Sequence, residues 1–93
     1  MGINKQTASI TYFSVYPNPA NSTVTVSYNL SAPGIDGVFI IRDVNGSEVK
    51  REPAKANGSE KTINTASLAN GMYFISLEQG NKRLGDLKLV INR

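Results

Sequence analysis

Turn-forming dipeptides punctuate this chain at short intervals: Pro33-Gly34, Asp36-Gly37, Asn45-Gly46, Asn57-Gly58, Asn70-Gly71 and Gly80-Asn81. Asn-Gly and Asp-Gly tolerate the positive φ that tight hairpin turns require. Between the turns, apolar residues alternate with polar ones. From Ser22 to Leu30, Val24, Val26, Tyr28 and Leu30 share one face, and Thr23, Thr25, Ser27 and Asn29 share the other. This period of two marks a half-buried strand. Tyr73, Ile75 and Leu77 repeat it, as do Leu87, Leu89 and Ile91. Gly37 to Val44 is apolar on both faces, which predicts a central strand with Phe39 and Ile41 in the core. Phe13 to Tyr16 predicts a short first strand, and Ser59 to Asn64 supplies Ile63. Ser47 to Arg51 follows Asn45-Gly46 as a hairpin partner, with Val49 expected inward.

No segment carries a helical period, though Ala66 to Asn70 could close one helical turn. About seven short strands therefore predict an all-β fold, an immunoglobulin/fibronectin-like antiparallel β-sandwich. A small barrel is the alternative with the same pattern. The 93 residues suit one domain and one modest core. The expected division is a linker over 1–12, in which Met1-Gly2 reads as an expression start, and the sandwich over 13–93.

Catalytic chemistry finds little to work with. There is neither Cys nor His, so thiolate chemistry, the commonest general base and the commonest metal ligand are all missing. Hydroxyls have no activating partner, and the acids are scattered over turns and strand faces. Asp43-Val44-Asn45-Gly46 offers two oxygen side chains and then a strand, which suits a turn better than a calcium loop. No catalytic residue, metal or cofactor is assigned. The longest apolar runs, Val38 to Ile41 and Met72 to Ile75, are far shorter than the roughly 20 residues of a membrane-spanning helix. The cations are too few and the aromatics too inward for a nucleic-acid surface.

The charge is placed unevenly. Residues 1–81 carry as many acids as cations, whereas 82–93 carry Lys82, Arg83, Lys88 and Arg93 against Asp86 alone. A basic terminal strand can stay soluble by its charges, or it can meet an acidic partner. Two further features stand out. In Tyr16-Pro17-Asn18-Pro19-Ala20-Asn21 each proline lacks an N–H and extends the residue before it. That stretch reads either as a strand switch or edge guard between two sheets, or as a rigid epitope. Leu68-Ala69-Asn70-Gly71-Met72-Tyr73 is similar to the tyrosine corner of sandwich folds, in which the phenol bonds nearby backbone.

Taken in order, Phe13-Ser14-Val15-Tyr16-Pro17-Asn18-Pro19-Ala20-Asn21, Asp43-Val44-Asn45-Gly46, Leu68-Ala69-Asn70-Gly71-Met72-Tyr73 and the basic Lys88-Leu89-Val90-Ile91-Asn92-Arg93 resemble the type A C-terminal sorting domain of the type IX (Por) secretion system of Bacteroidetes. The resemblance covers residues 13–93. It implies a non-catalytic export tag on a larger cargo protein, carried through the periplasm to the cell surface or medium. It also implies removal of the tag by a sortase-like surface protease, at a bond within residues 1–12. The implied partners are the outer-membrane secretion machinery, that protease and an N-terminal cargo domain.

The recognition residues expected on this reading are Pro17, Asn18, Pro19, Lys88, Val90, Asn92 and Arg93; Asp43, Gly46, Leu68, Gly71 and Tyr73 are expected to be structural. Leu87, Leu89 and Ile91 should hold an accessible terminal strand to the core, with Lys88, Val90, Asn92 and Arg93 facing outward. Replacing Lys88 and Arg93 by alanine should then lower export and leave the melting temperature nearly unchanged. The contrary reading is a fibronectin-like spacer or a carbohydrate-binding module, for which Tyr12, Tyr16 and Phe74 are the solvent-facing aromatics.

Overall fold

Alternation of the Val24–Val26–Tyr28 kind buries one face of a strand only if a second layer covers it. A computed structural model, which describes residues 12–30, 34–56 and 58–93, supplies that layer. Seven strands follow one another: β1 (Phe13–Tyr16), β2 (Thr23–Tyr28), β3 (Gly37–Asp43), β4 (Glu48–Ala54), β5 (Glu60–Asn64), β6 (Gly71–Gln79) and β7 (Lys82–Ile91). One sheet runs β1-β2-β5 and the other β4-β3-β6-β7, with every named pair antiparallel. The result is the two-layer sandwich that the turn spacing predicts.

The core lies between the sheets. Val24, Val26, Tyr28 and Ile63 come from the first sheet. Phe39, Ile41, Tyr73, Ile75, Leu77, Leu89 and Ile91 come from the second. Each of the larger buried side chains stabilises the fold by roughly 1.5–3 kcal/mol. Phe39 is the hub: its ring lies 6.2 Å from that of Phe13 and 5.0 Å, edge to face, from that of Tyr28. The β3 prediction holds, since β3 is central and buries both Phe39 and Ile41. Ile40 on the opposite face is also buried, beside Arg51 and Ser76 in register.

Val49 corrects the sequence reading. It is 40% exposed, not inward. The β3–β4 register shifts between Ile41 and Arg42, so that Ile41 faces Lys50 and Arg42 faces Glu48. Val49 is the extra residue of a bulge, and a slip of one residue exchanges the faces of a strand. Lys50 and Glu52, paired with Ile41 and Phe39, therefore take the inward positions.

The turn before β4 is built by Asp43 and Gly46. The Asp43 carboxylate accepts the N–H groups of Asn45 and Ser47, at 2.9 and 3.0 Å. Gly46 takes φ 87°, a left-handed value that other residues rarely adopt, and donates its N–H to the Asp43 carbonyl. At the same end of the sandwich, where Asp43 stands opposite Tyr73, the Tyr73 phenol donates to the carbonyl of Ala69, at 2.6 Å, over the buried Leu68. Residues 65–68 make a hydrogen-bonded turn here, Leu68 N–H to Thr65 carbonyl. The expected linker, residues 1–12, lies outside the described residues except for Tyr12.

Candidate recognition surface

Two prolines flanking one residue leave that residue's side chain as the main local donor. Pro17 and Pro19 have no N–H to give, and Asn18 between them carries an amide with both a donor and an acceptor. The structure uses that amide as if it were a peptide group. Asn18 Nδ2 donates to the carbonyl of Lys88 at 2.9 Å, and its Oδ1 accepts the N–H of Val90 at 3.0 Å. Two residues on, Ala20 donates its N–H to the Val90 carbonyl (2.7 Å) and accepts from Asn92 N–H (2.9 Å). Ala20 and Ile91 form a parallel bridge, and Ala20 is buried.

Residues 17–20 are therefore a strap. The chain runs in the first sheet as β1, then crosses at Asn18 and continues beside β7 of the second sheet. Of the two sequence-based readings of Pro17–Asn21, the geometry is that of a strand switch that guards an edge. Pro17, Asn18 and Pro19 nonetheless keep exposed surface. The strap brings the two groups of expected recognition residues, about seventy positions apart in sequence, onto one border of the sandwich.

Along that border Lys88 and Asn92 are exposed and Val90 is half-buried. Lys88 stands opposite Phe74, and Val90 opposite Met72, on the outer face of the second sheet. Phe74 and Met72 are each 43% exposed. Of the four cations in the last twelve residues, Arg83 is held by Glu78 and Asp86. Among the described residues no acid lies within ion-pair distance of Lys82 or Lys88.

Arg93 departs from the expected outward-facing role. Its guanidinium turns onto the turn before β6 and donates to the carbonyls of Thr65, Leu68 and Asn21. The Asn70 side chain completes the clasp by accepting Arg93 N–H at 3.0 Å and donating to its carbonyl at 3.4 Å. A fixed guanidinium fork is suited to several carbonyls at once. Arg93 is thus engaged in holding the terminal strand, and its removal cannot leave stability unchanged. Lys88→Ala remains the clean probe of an outward cation.

Sequence reasoning missed the pairing of Asn18 with β7 and the role of Asn70. The first had a local signal, an amide side chain isolated between two residues without N–H groups. The second had none, because Asn70-Gly71 reads as a turn. Gly71, expected to be structural, opens β6 opposite Ile91. No group of three acids that could hold a metal ion occurs among the described residues, and no helix long and apolar enough to cross a membrane occurs among them.

A family model described as "Secretion system C-terminal sorting domain" matches residues 14–92. The chain belongs to that family. Its order of motifs is therefore that of a type IX secretion sorting domain, a family generally without catalytic activity. Membership in that family implies export to the cell surface or extracellular space. No curated protein sequence matches the chain. Among solved structures, dimeric latent PorU from Porphyromonas gingivalis is similar in fold, with a TM-score of 0.67 at 18% identity. The match covers 87% of this chain and 9% of that one, so the sorting domain spans only a small part of the PorU chain.

Proposed function

We propose that this sorting domain carries its cargo through the periplasm to the type IX outer-membrane machinery, and that the machinery reads the border formed by the strap and β7. On this reading Pro17, Asn18, Pro19, Lys88, Val90 and Asn92 make up the recognised surface, and Arg93 positions it. A sortase-like surface protease then removes the domain on the N-terminal side of β1.

The observation that supports this most directly is the bonding of Asn18 and Ala20 to Lys88, Val90 and Asn92. Two motifs that a receptor could have read separately become one rigid surface. The carbohydrate-binding alternative draws less support. Tyr16 belongs to β1 of the first sheet, Tyr12 just precedes that strand and Phe74 belongs to the second sheet, so the exposed aromatics do not share a platform.

The test is a fusion of residues 13–93 behind a signal peptide and a fluorescent protein, in a bacterium with a working type IX system. Fluorescence at the surface or in the medium, lost in a secretion mutant, is the expected result. Fluorescence confined to the periplasm rejects the sorting role. In the same assay Lys88→Ala should lower export with an unchanged melting temperature.

A further inference from the structure

Among the described residues, the outer edge of β7 is only partly covered. In an antiparallel pair, alternate residues turn their backbone groups toward the neighbouring strand and away from it. The strap shows which set points away from β6: the Lys88 carbonyl, both groups of Val90 and the Asn92 N–H. By the same alternation, the N–H and C=O of Asp86 and the N–H of Lys88 also point away. No described residue hydrogen-bonds to these three groups. The reason is topological. The chain is still in the first sheet while it runs as β1, and it reaches the edge of the second only at Asn18.

An apolar seam lies beside this open stretch. Phe13 and Val15 of β1, with Leu84 and Leu87 of β7, pack on the core yet stay partly exposed. The seam is close-fitting, since a Cβ on Gly85 would come within 3.2 Å of the Phe13 ring. The charge along the strand is basic, with Lys82 and Lys88 unpaired by any described acid and Asp86 held by Arg83.

We propose that the Asp86–Lys88 edge and this seam accept a short extended strand from a partner protein, apolar on its inward side and acidic on its outward side. The proposal rests on the sorting role and names what the machinery would have to offer. An added strand gains affinity from backbone pairing and specificity from alternate side chains. Here its inward residues would cover Phe13, Val15, Leu84 and Leu87, while its acids would meet Lys88, which stands on the outer face opposite Phe74. The strap already occupies the edge from Lys88 onward, so it fixes where the added strand must end. The partner strand would lie in line with the strap and complete the outer strand of the second sheet.

The experiment uses the full chain and a blocked hexapeptide of alternating Glu and Val, followed by amide NMR and hydrogen exchange. In the free chain, the Asp86 and Lys88 amides should exchange at least about tenfold faster than that of Val90, which the strap protects. The peptide should slow both saturably, with shifts confined to residues 13–15 and 84–88. Asp86→Pro removes one outward N–H and leaves the β6 ladder intact, a position where strands accept proline. It should weaken binding at least about tenfold relative to Asp86→Ala, for want of that pairing group.

Equal binding by Asp86→Pro and Asp86→Ala would overturn the proposal, as would shifts centred on another part of the molecule. Protected Asp86 and Lys88 amides in the free chain would show that residues 1–11 hold the edge, and would overturn the assignment to a partner. Should Asp86→Pro fail to fold by circular dichroism, the exchange data on the unmodified chain decide. Peptide binding without export of the fluorescent fusion would reject the sorting role alone.

Discussion

The two long margins of the sandwich are closed by different chemistry. At the β4/β5 margin, Lys50 and Glu52 point inward from one sheet and Lys61 from the other. Glu52 sits 3.5 Å from Lys50 and 3.6 Å from Lys61. Inward charges are a common guard against edge-to-edge pairing. At the β1/β7 margin no ion pair joins the two sheets among the described residues. A strap of backbone and one asparagine covers the end of β7, and an apolar seam remains beside the rest. One margin repels an incoming strand; the other is half-built to receive one.

This contrast can be broken at several points. Arg93→Ala should have the largest effect on stability. It deletes a charged donor that serves three carbonyls, a loss of about 2 kcal/mol. Urea denaturation should show a lower midpoint with an unchanged slope, and Arg93→Lys should recover only part of it. Asn18→Ala should follow, at about 1 kcal/mol for two partly solvated bonds. Its signature should be local: faster amide exchange at Val90, with no change along β4. Equal loosening at both margins would mean that the strap supports the whole fold and not one edge.

The opposite margin should answer in another way. Replacing Lys50, Glu52 and Lys61 together by valine should alter stability by less than about 1 kcal/mol, because exchanging a partly buried ion cluster for apolar groups is often neutral. It should instead make the protein self-associate, visible as a rising mass in light scattering with concentration. A triple variant that stays monomeric would remove the charges' role as a guard.

The smallest effect concerns pH. The Tyr16 phenol donates to Glu60 at 2.9 Å, and that bond raises the phenol above its ordinary value. Below about pH 10 the phenol is protonated in both folded and unfolded chains, so the contact contributes in full. As pH rises through the higher folded value, the contribution disappears. Spectrophotometric titration should find Tyr16 ionising late, as should Tyr28, which burial also raises, and Glu60→Gln should bring back Tyr16 alone.

The strands and core were legible because alternation is a local property. Val24, Val26, Tyr28, Ile75 and Leu89 declare their faces through their immediate neighbours. The bulge at Val49 was not legible, since an extra residue changes a strand's faces without leaving a mark in composition. Once Val49 is set aside, Lys50 and Glu52 become inward, and the guarded margin follows. The candidate surface was half legible. Its two motifs were visible, but their contact was not, because Asn18 and Val90 are brought together only by the arrangement of the sheets. Arg93 misled for a related reason: a terminal cation looks solvated unless the turn that receives it is known.

The bonds between Asn18 and β7 span 70 and 72 residues, so no short segment can counterfeit the border they make. A polypeptide stopped by the ribosome before Ile91, or trimmed there by a protease, would still possess the Pro-Asn-Pro motif but would have nothing for it to grip. A receptor that reads this border, as proposed, would therefore also check that translation ran through β7 and that folding brought β1 and β7 together.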